Sequence, residues 1–79
     1  MSLKINFFSR EEDFLTEAFR LEQLLSQLGR VASHRSSGIA QFTLHTELSK
    51  EEVEREVTAL ALKGSVSIAE EENEEMASA

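Results

Sequence analysis

The side chains with the widest chemical repertoire in this chain are His34 and His45, the only imidazoles in a sequence that contains no cysteine. An imidazole can hold a metal, move a proton as a general base, or sense pH. Metal binding needs ligands that converge, and spacing tests this directly. If the chain turns at Ser37-Gly38, His34 lies opposite Gln41, which places His45 about 13 Å further along the strand. Both histidines then share a polar hairpin face with Gln41 and Thr43, where surface imidazoles are the expectation. Ser36 and Ser37 adjoin His34 and Arg35, a composition that nucleophilic catalysis could use, but a hairpin tip has nothing to exclude water. Glu17 and the Glu51–Arg55 spacing read as solvated helix faces, the latter an i,i+4 ion pair. Gly29, Gly38 and Gly64 are isolated, each suited to a turn or a helix end, and so form no phosphate-cradling loop. No catalytic, metal-binding or cofactor-binding residue is assigned, and no enzymatic activity is expected.

The elements that position these residues follow from periodicity. Leu3, Ile5 and Phe7 alternate with Lys4, Asn6 and Phe8, the signature of a strand with one buried face. Ser9-Arg10-Glu11-Glu12 has the form of a capping box, which predicts a helix over about 10–28. Phe14, Ala18, Leu21, Leu25 and Leu28 form its apolar stripe, widened by Leu15, Phe19 and Leu24, and Gly29 would supply a left-handed C-terminal residue. Val31 on one side and Phe42 and Leu44 on the other alternate about Ser36-Ser37-Gly38, which predicts a hairpin. A second capping box, Ser49-Lys50-Glu51-Glu52, is flanked by Leu48 and Val53 as a hydrophobic staple. Its helix would bury Val53, Val57, Leu60 and Ala61, carry Lys63 at its negative end and stop at a left-handed Gly64. Ser65-Val66-Ser67-Ile68 alternates as a last strand; a helix over 66–76 is the alternative.

The resulting order, β-α-β-β-α-β, predicts an α+β two-layer sandwich of ferredoxin-like type, a four-stranded antiparallel sheet with two helices on one face. Residues 1–69 form a single domain, and 70–79 read as a frayed acidic tail. The net charge of −7 sits mostly there: of fifteen acids, five are Glu70, Glu71, Glu72, Glu74 and Glu75, leaving ten acids against eight bases, or −2, in residues 1–69. A near-neutral body with an acidic end argues against direct nucleic-acid binding. No stretch approaches the roughly 18 apolar residues that a spanning helix needs, and a soluble cytoplasmic protein with no membrane partner is expected.

The topology is similar to that of metal chaperones and ligand-sensing ACT-like domains. Metal chaperones of this shape carry a C-x-x-C in the first loop, where this chain has Phe8-Ser9-Arg10-Glu11. His34 and the Phe42-Thr43-Leu44-His45-Thr46 segment resemble pterin-dehydratase-like proteins, without the His-His-Pro that carries their chemistry. With strands one and three central, Lys4, Asn6, Phe8, Gln41, Thr43 and His45 look away from the helices as a polar, largely uncharged face. RNA binders of this topology stack bases on aromatics there, and Phe8 alone qualifies. A chain this short forms a marginal core, which favours burial against a partner. The expectation is a small non-enzymatic regulatory or protein-interaction module, a homodimer through that face or a binder of another protein. The alternative is an acidic inhibitor, a nucleic-acid mimic or immunity-like protein, binding a basic surface through helix two and the Glu-rich tail.

Overall fold

The computed structural model describes residues 2–10, 12–36 and 38–70. Its elements are β1 (Ser2–Phe8), α1 (Phe14–Leu28), β2 (Arg30–Ser36), β3 (Ile39–His45), α2 (Lys50–Ala59) and β4 (Ser65–Glu70). The strands form an antiparallel sheet of order β2-β3-β1-β4, so β1 and β3 are central, as the ferredoxin-like reading requires. Over Ser65–Glu70 the fourth strand forms rather than the alternative helix, with Glu70 opposite Leu3, and the remainder of the 66–76 segment lies outside the described residues.

Alternation places Leu3, Ile5 and Phe7 of β1 and Ala40, Phe42 and Leu44 of β3 on the helix side of the sheet, all fully buried. Ala18, Leu21 and Leu25 of α1 and Val53 and Val57 of α2 close the core from above. Each large apolar side chain contributes about 1.5–3 kcal/mol by leaving water. Leu15 and Phe19, read from spacing as part of the buried stripe, remain exposed at 63% and 53%. The sheet beneath α1 accommodates a narrow stripe, and those two residues lie beyond its edge.

The two helix starts differ. At α2, Ser49 Oγ accepts the Glu52 N–H at 3.2 Å while Glu52 Oε1 accepts the Ser49 N–H at 2.9 Å, a complete capping box. Leu48 and Val53 on either side both enter the core. Ser9 does not cap α1. The helix begins at Phe14 after Asp13, whose carbonyl accepts from Glu17 N–H at 2.8 Å. Ser9 is buried, and its N–H donates to Gly38 O at 3.2 Å, continuing the sheet's pairing for one more residue. Chain leaving the sheet must then climb to the helix layer, and α1 starts only at Phe14. Phe14 fixes the arrival point by stacking on Phe7, with centroids 5.7 Å apart.

The helix ends also depart from the sequence reading. Gly29 is extended, with φ 173, and not left-handed. A Cβ there would collide with the His45 carbonyl oxygen, so close backbone approach demands glycine. Helix α2 ends at Ala59, with Leu60 half-buried and Ala61 exposed, and Ala61, not Gly64, takes the left-handed conformation at φ 55. Gly64 too is required by proximity: an added Cβ would come 2.6 Å from Phe8 O and 2.7 Å from Phe7 Cζ.

Glu17, read as part of a solvated face, is buried at 5% exposure. Its carboxylate accepts the backbone N–H groups of Lys63 (2.9 Å) and Gly64 (3.2 Å), tying α1 to the α2–β4 connection. On α2 the i,i+4 ion pair joins Lys50 and Glu54 at 3.7 Å, one residue earlier than Glu51 and Arg55. Among the described residues no helix is long and apolar enough to cross a membrane.

Candidate functional site

The six residues that the sequence places away from the helices stand together on the outer sheet face. Register sets Lys4 beside Thr43, Asn6 beside Gln41, Phe8 beside Ile39 and Ser2 beside His45. The edge strands extend these rows with Ala32 next to Thr43, His34 next to Gln41, Ala69 next to Lys4 and Ser67 next to Asn6. Period-two alternation produces this arrangement: a strand that buries Leu3, Ile5 and Phe7 must present Lys4, Asn6 and Phe8 to the other side.

The face has a graded character. At the hairpin end, Phe8 and Ile39 form an apolar pair, exposed at 44% and 38%, with the Arg10 guanidinium 6.0 Å from the Phe8 ring centroid. Amides and hydroxyls occupy the middle. At the far end Ser2 Oγ lies 2.8 Å from His45 Nδ1, and Arg30 adjoins His45 on β2. Lys4 and Arg30 are the formal charges on these rows, whereas exposed carboxylates crowd the helix layer at Glu12, Asp13, Glu51, Glu52 and Glu56. Ile39 and Ser2 were missed by the sequence reading. Ile39 was detectable, since it shares the parity of Gln41 and Thr43 next to the turn.

Asn6 lies at the centre. Its Oδ1 is enclosed by neighbouring atoms and has no hydrogen-bond partner among the described residues. An orphaned acceptor of this kind costs about 1–3 kcal/mol, a local penalty within a surface where Lys4, Gln41 and His45 are exposed.

The histidines are both exposed and stand on adjacent strands in different rows, His34 level with Gln41 and His45 level with Arg30. Ser2 and His45 have the hydroxyl-to-imidazole contact that an activated nucleophile needs, but among the described residues no carboxylate hydrogen-bonds the imidazole to orient it. Among the described residues no group of three or more His, Asp or Glu side chains is placed to hold a metal ion. Beside His45, a shallow depression of about 430 Å³ is bounded by Gln27, Gly29, Thr46 and Leu48. Its floor is structural: Thr46 Oγ1 donates to Leu28 O at 2.8 Å and accepts from Leu48 N–H at 3.1 Å.

Of the acidic residues read as a tail contact, Glu70 belongs to β4, and Glu71, Glu72, Glu74 and Glu75 lie outside the described residues. No protein-family model matches the chain, and no curated protein sequence does either.

Proposed function

We propose that this protein is a small, non-enzymatic regulatory or protein-interaction module of the cytoplasm that acts as a homodimer through the outer sheet face. The observation that supports this reading is the composition of that face. Across the rows of Lys4, Asn6, Phe8, Gln41, Thr43 and His45 there are side chains that can pair with copies of themselves, an apolar patch at Phe8 and Ile39, and almost no charge to be desolvated. Two such sheets stacked about 10 Å apart bury their central strands and leave the charged helix layers in water. A two-fold axis through the face brings the same patch to both partners.

Sedimentation equilibrium tests it. A dimer is expected at micromolar concentration, and Thr43→Arg, which adds a second cation directly beside Lys4 on each face, is expected to weaken it by at least about tenfold. A strict monomer at high micromolar concentration overturns the reading.

The second reading, an acidic inhibitor acting through α2 and the Glu-rich segment, is supported by Glu51, Glu52 and Glu56, all exposed on α2. It predicts salt-sensitive capture of a basic protein that is weakened by deleting residues 71–79. Capture that survives both the deletion and high salt removes it.

A further inference from the structure

The strand β2 combines three features that its neighbours lack. It lies at the edge of the sheet, and among the described residues it pairs on one side only, with β3. All of Arg30–Ser36 is exposed except the half-buried Val31. It also carries two arginines and a histidine, Arg30, His34 and Arg35, and no acid, in a chain whose net charge is −7.

Hairpin geometry says which backbone groups face outward. Ser9 N–H donates to Gly38 O, so Gly38 turns its backbone groups to β1 and Ile39 turns its own to β2, where the Ser36–Ile39 pair exchanges hydrogen bonds, as do the pairs two residues apart from it. The N–H and C=O groups of Val31, Ser33 and Arg35 therefore point to the open edge. An edge of this length is a template for another strand unless something blunts it. No proline interrupts it.

The flank of α1 above the edge carries one carboxylate and two exposed apolar side chains. Glu22 of α1 reaches β2 through Ser33 Oγ, which donates to Glu22 Oε2 at 3.3 Å, and through Arg35, 3.8 Å away. Phe19 and Leu15 precede Glu22 on the same helical stripe, one and two turns back, so they lie on the same flank of α1, toward the hairpin end. They are the two most exposed large apolar residues of α1, which the core does not use.

We infer that the β2 edge is a docking site for an extended acidic–apolar peptide segment of another protein, added as a fifth antiparallel strand. Backbone groups of Val31, Ser33 and Arg35 pair with the incoming chain. Its apolar side chains turn inward beneath Phe19 and Leu15, and its carboxylates turn outward to Arg30 and His34. The backbone edge differs from the outer face proposed for self-association, with Arg30 and His34 on the margin of that face, and peptide titration and sedimentation read the two separately.

The probe is a synthetic octapeptide of alternating valine and glutamate, titrated into the full chain by calorimetry, with a valine–lysine octapeptide and a single-stranded oligonucleotide as counter-probes. Binding is expected for the glutamate peptide alone. Ser33→Pro removes an outward N–H at an edge position that tolerates proline, and with the loss of adjoining strand pairing it is expected to weaken binding by at least about tenfold. Arg30→Glu should weaken it by about threefold to tenfold, and Phe19→Gln should weaken it without altering the salt dependence. Far-UV circular dichroism establishes that each variant is folded, and the second and third variants keep the test intact if the first is not. Failure of the glutamate peptide to bind at millimolar concentration, equal binding of the lysine peptide, or preference for the oligonucleotide overturns the proposal. So does loss of self-association in Ser33→Pro, which would assign the edge to a second copy.

Discussion

Glu17 Oε2 accepts the backbone N–H of Lys63 at 2.9 Å across 46 residues of chain. With Gly64 N–H bonded to Oε1 at 3.2 Å, one buried carboxylate caps two backbone donors of the α2–β4 connection. Charge-assisted bonds of this kind are stronger than neutral ones, and their loss leaves two part-buried donors without this acceptor. Glu17→Ala is therefore expected to destabilise the fold by about 2–3 kcal/mol, and Glu17→Gln, which keeps one acceptor, by about 1 kcal/mol. Urea unfolding measures both. Equal midpoints for wild type and Glu17→Ala would show that the pair contributes nothing.

Gly29→Ala places a methyl group against the His45 carbonyl and within 3.1 Å of Thr46 Cβ, both on rigid chain. The α1–β2 junction must then separate from the end of β3. A loss of at least about 2 kcal/mol is expected in the same unfolding measurement.

Backbone handedness gives an opposed pair of substitutions. Gly38 has φ +70 and Ala61 has φ 55. Gly38→Ala should cost about 1 kcal/mol, while Ala61→Gly should gain about 0.5 kcal/mol, since the strain relieved slightly exceeds the entropy lost. Thermal unfolding of the two variants should move in opposite directions.

The capping box at α2 is reciprocal, so its members should be coupled. Ser49→Ala and Glu52→Ala are each expected to cost about 0.5–1.5 kcal/mol, and the double variant less than their sum. A double-mutant cycle with additive losses would deny the reciprocity seen in the geometry.

The exposed and buried apolar residues of α1 separate cleanly by substitution. Leu15→Gln and Phe19→Gln should each shift stability by no more than about 0.5 kcal/mol, whereas Leu21→Ala should cost about 2–5 kcal/mol, much of what a domain this small possesses. Chemical denaturation of the three variants decides it.

Local information in the sequence reaches as far as its physical causes are local. Alternation in β1 and β3 separates core from outer face, because successive side chains on a strand must point opposite ways; the six residues of that face were legible for this reason. The box at Ser49 and Glu52 closes within one helical turn, so it too is written in the chain. The box at Ser9 carries the same letters, yet Gly38 claims its N–H and Phe7 draws Phe14 to the helix start. Tertiary structure decided that outcome, since strand pairing and ring stacking across the chain outweigh one terminal hydrogen bond. It likewise decided the burial of Glu17, whose partners are 46 and 47 residues away, and the need for glycine at 29 and 64, where the obstructing atoms belong to β3 and β1. Sequence by itself determined the alternation of strands and helices and which residues share the open face. Only the packed chain determined where α1 starts, which carboxylate is enclosed, and which strands stand at the edges of the sheet, because each depends on groups that meet only once the layers have come together.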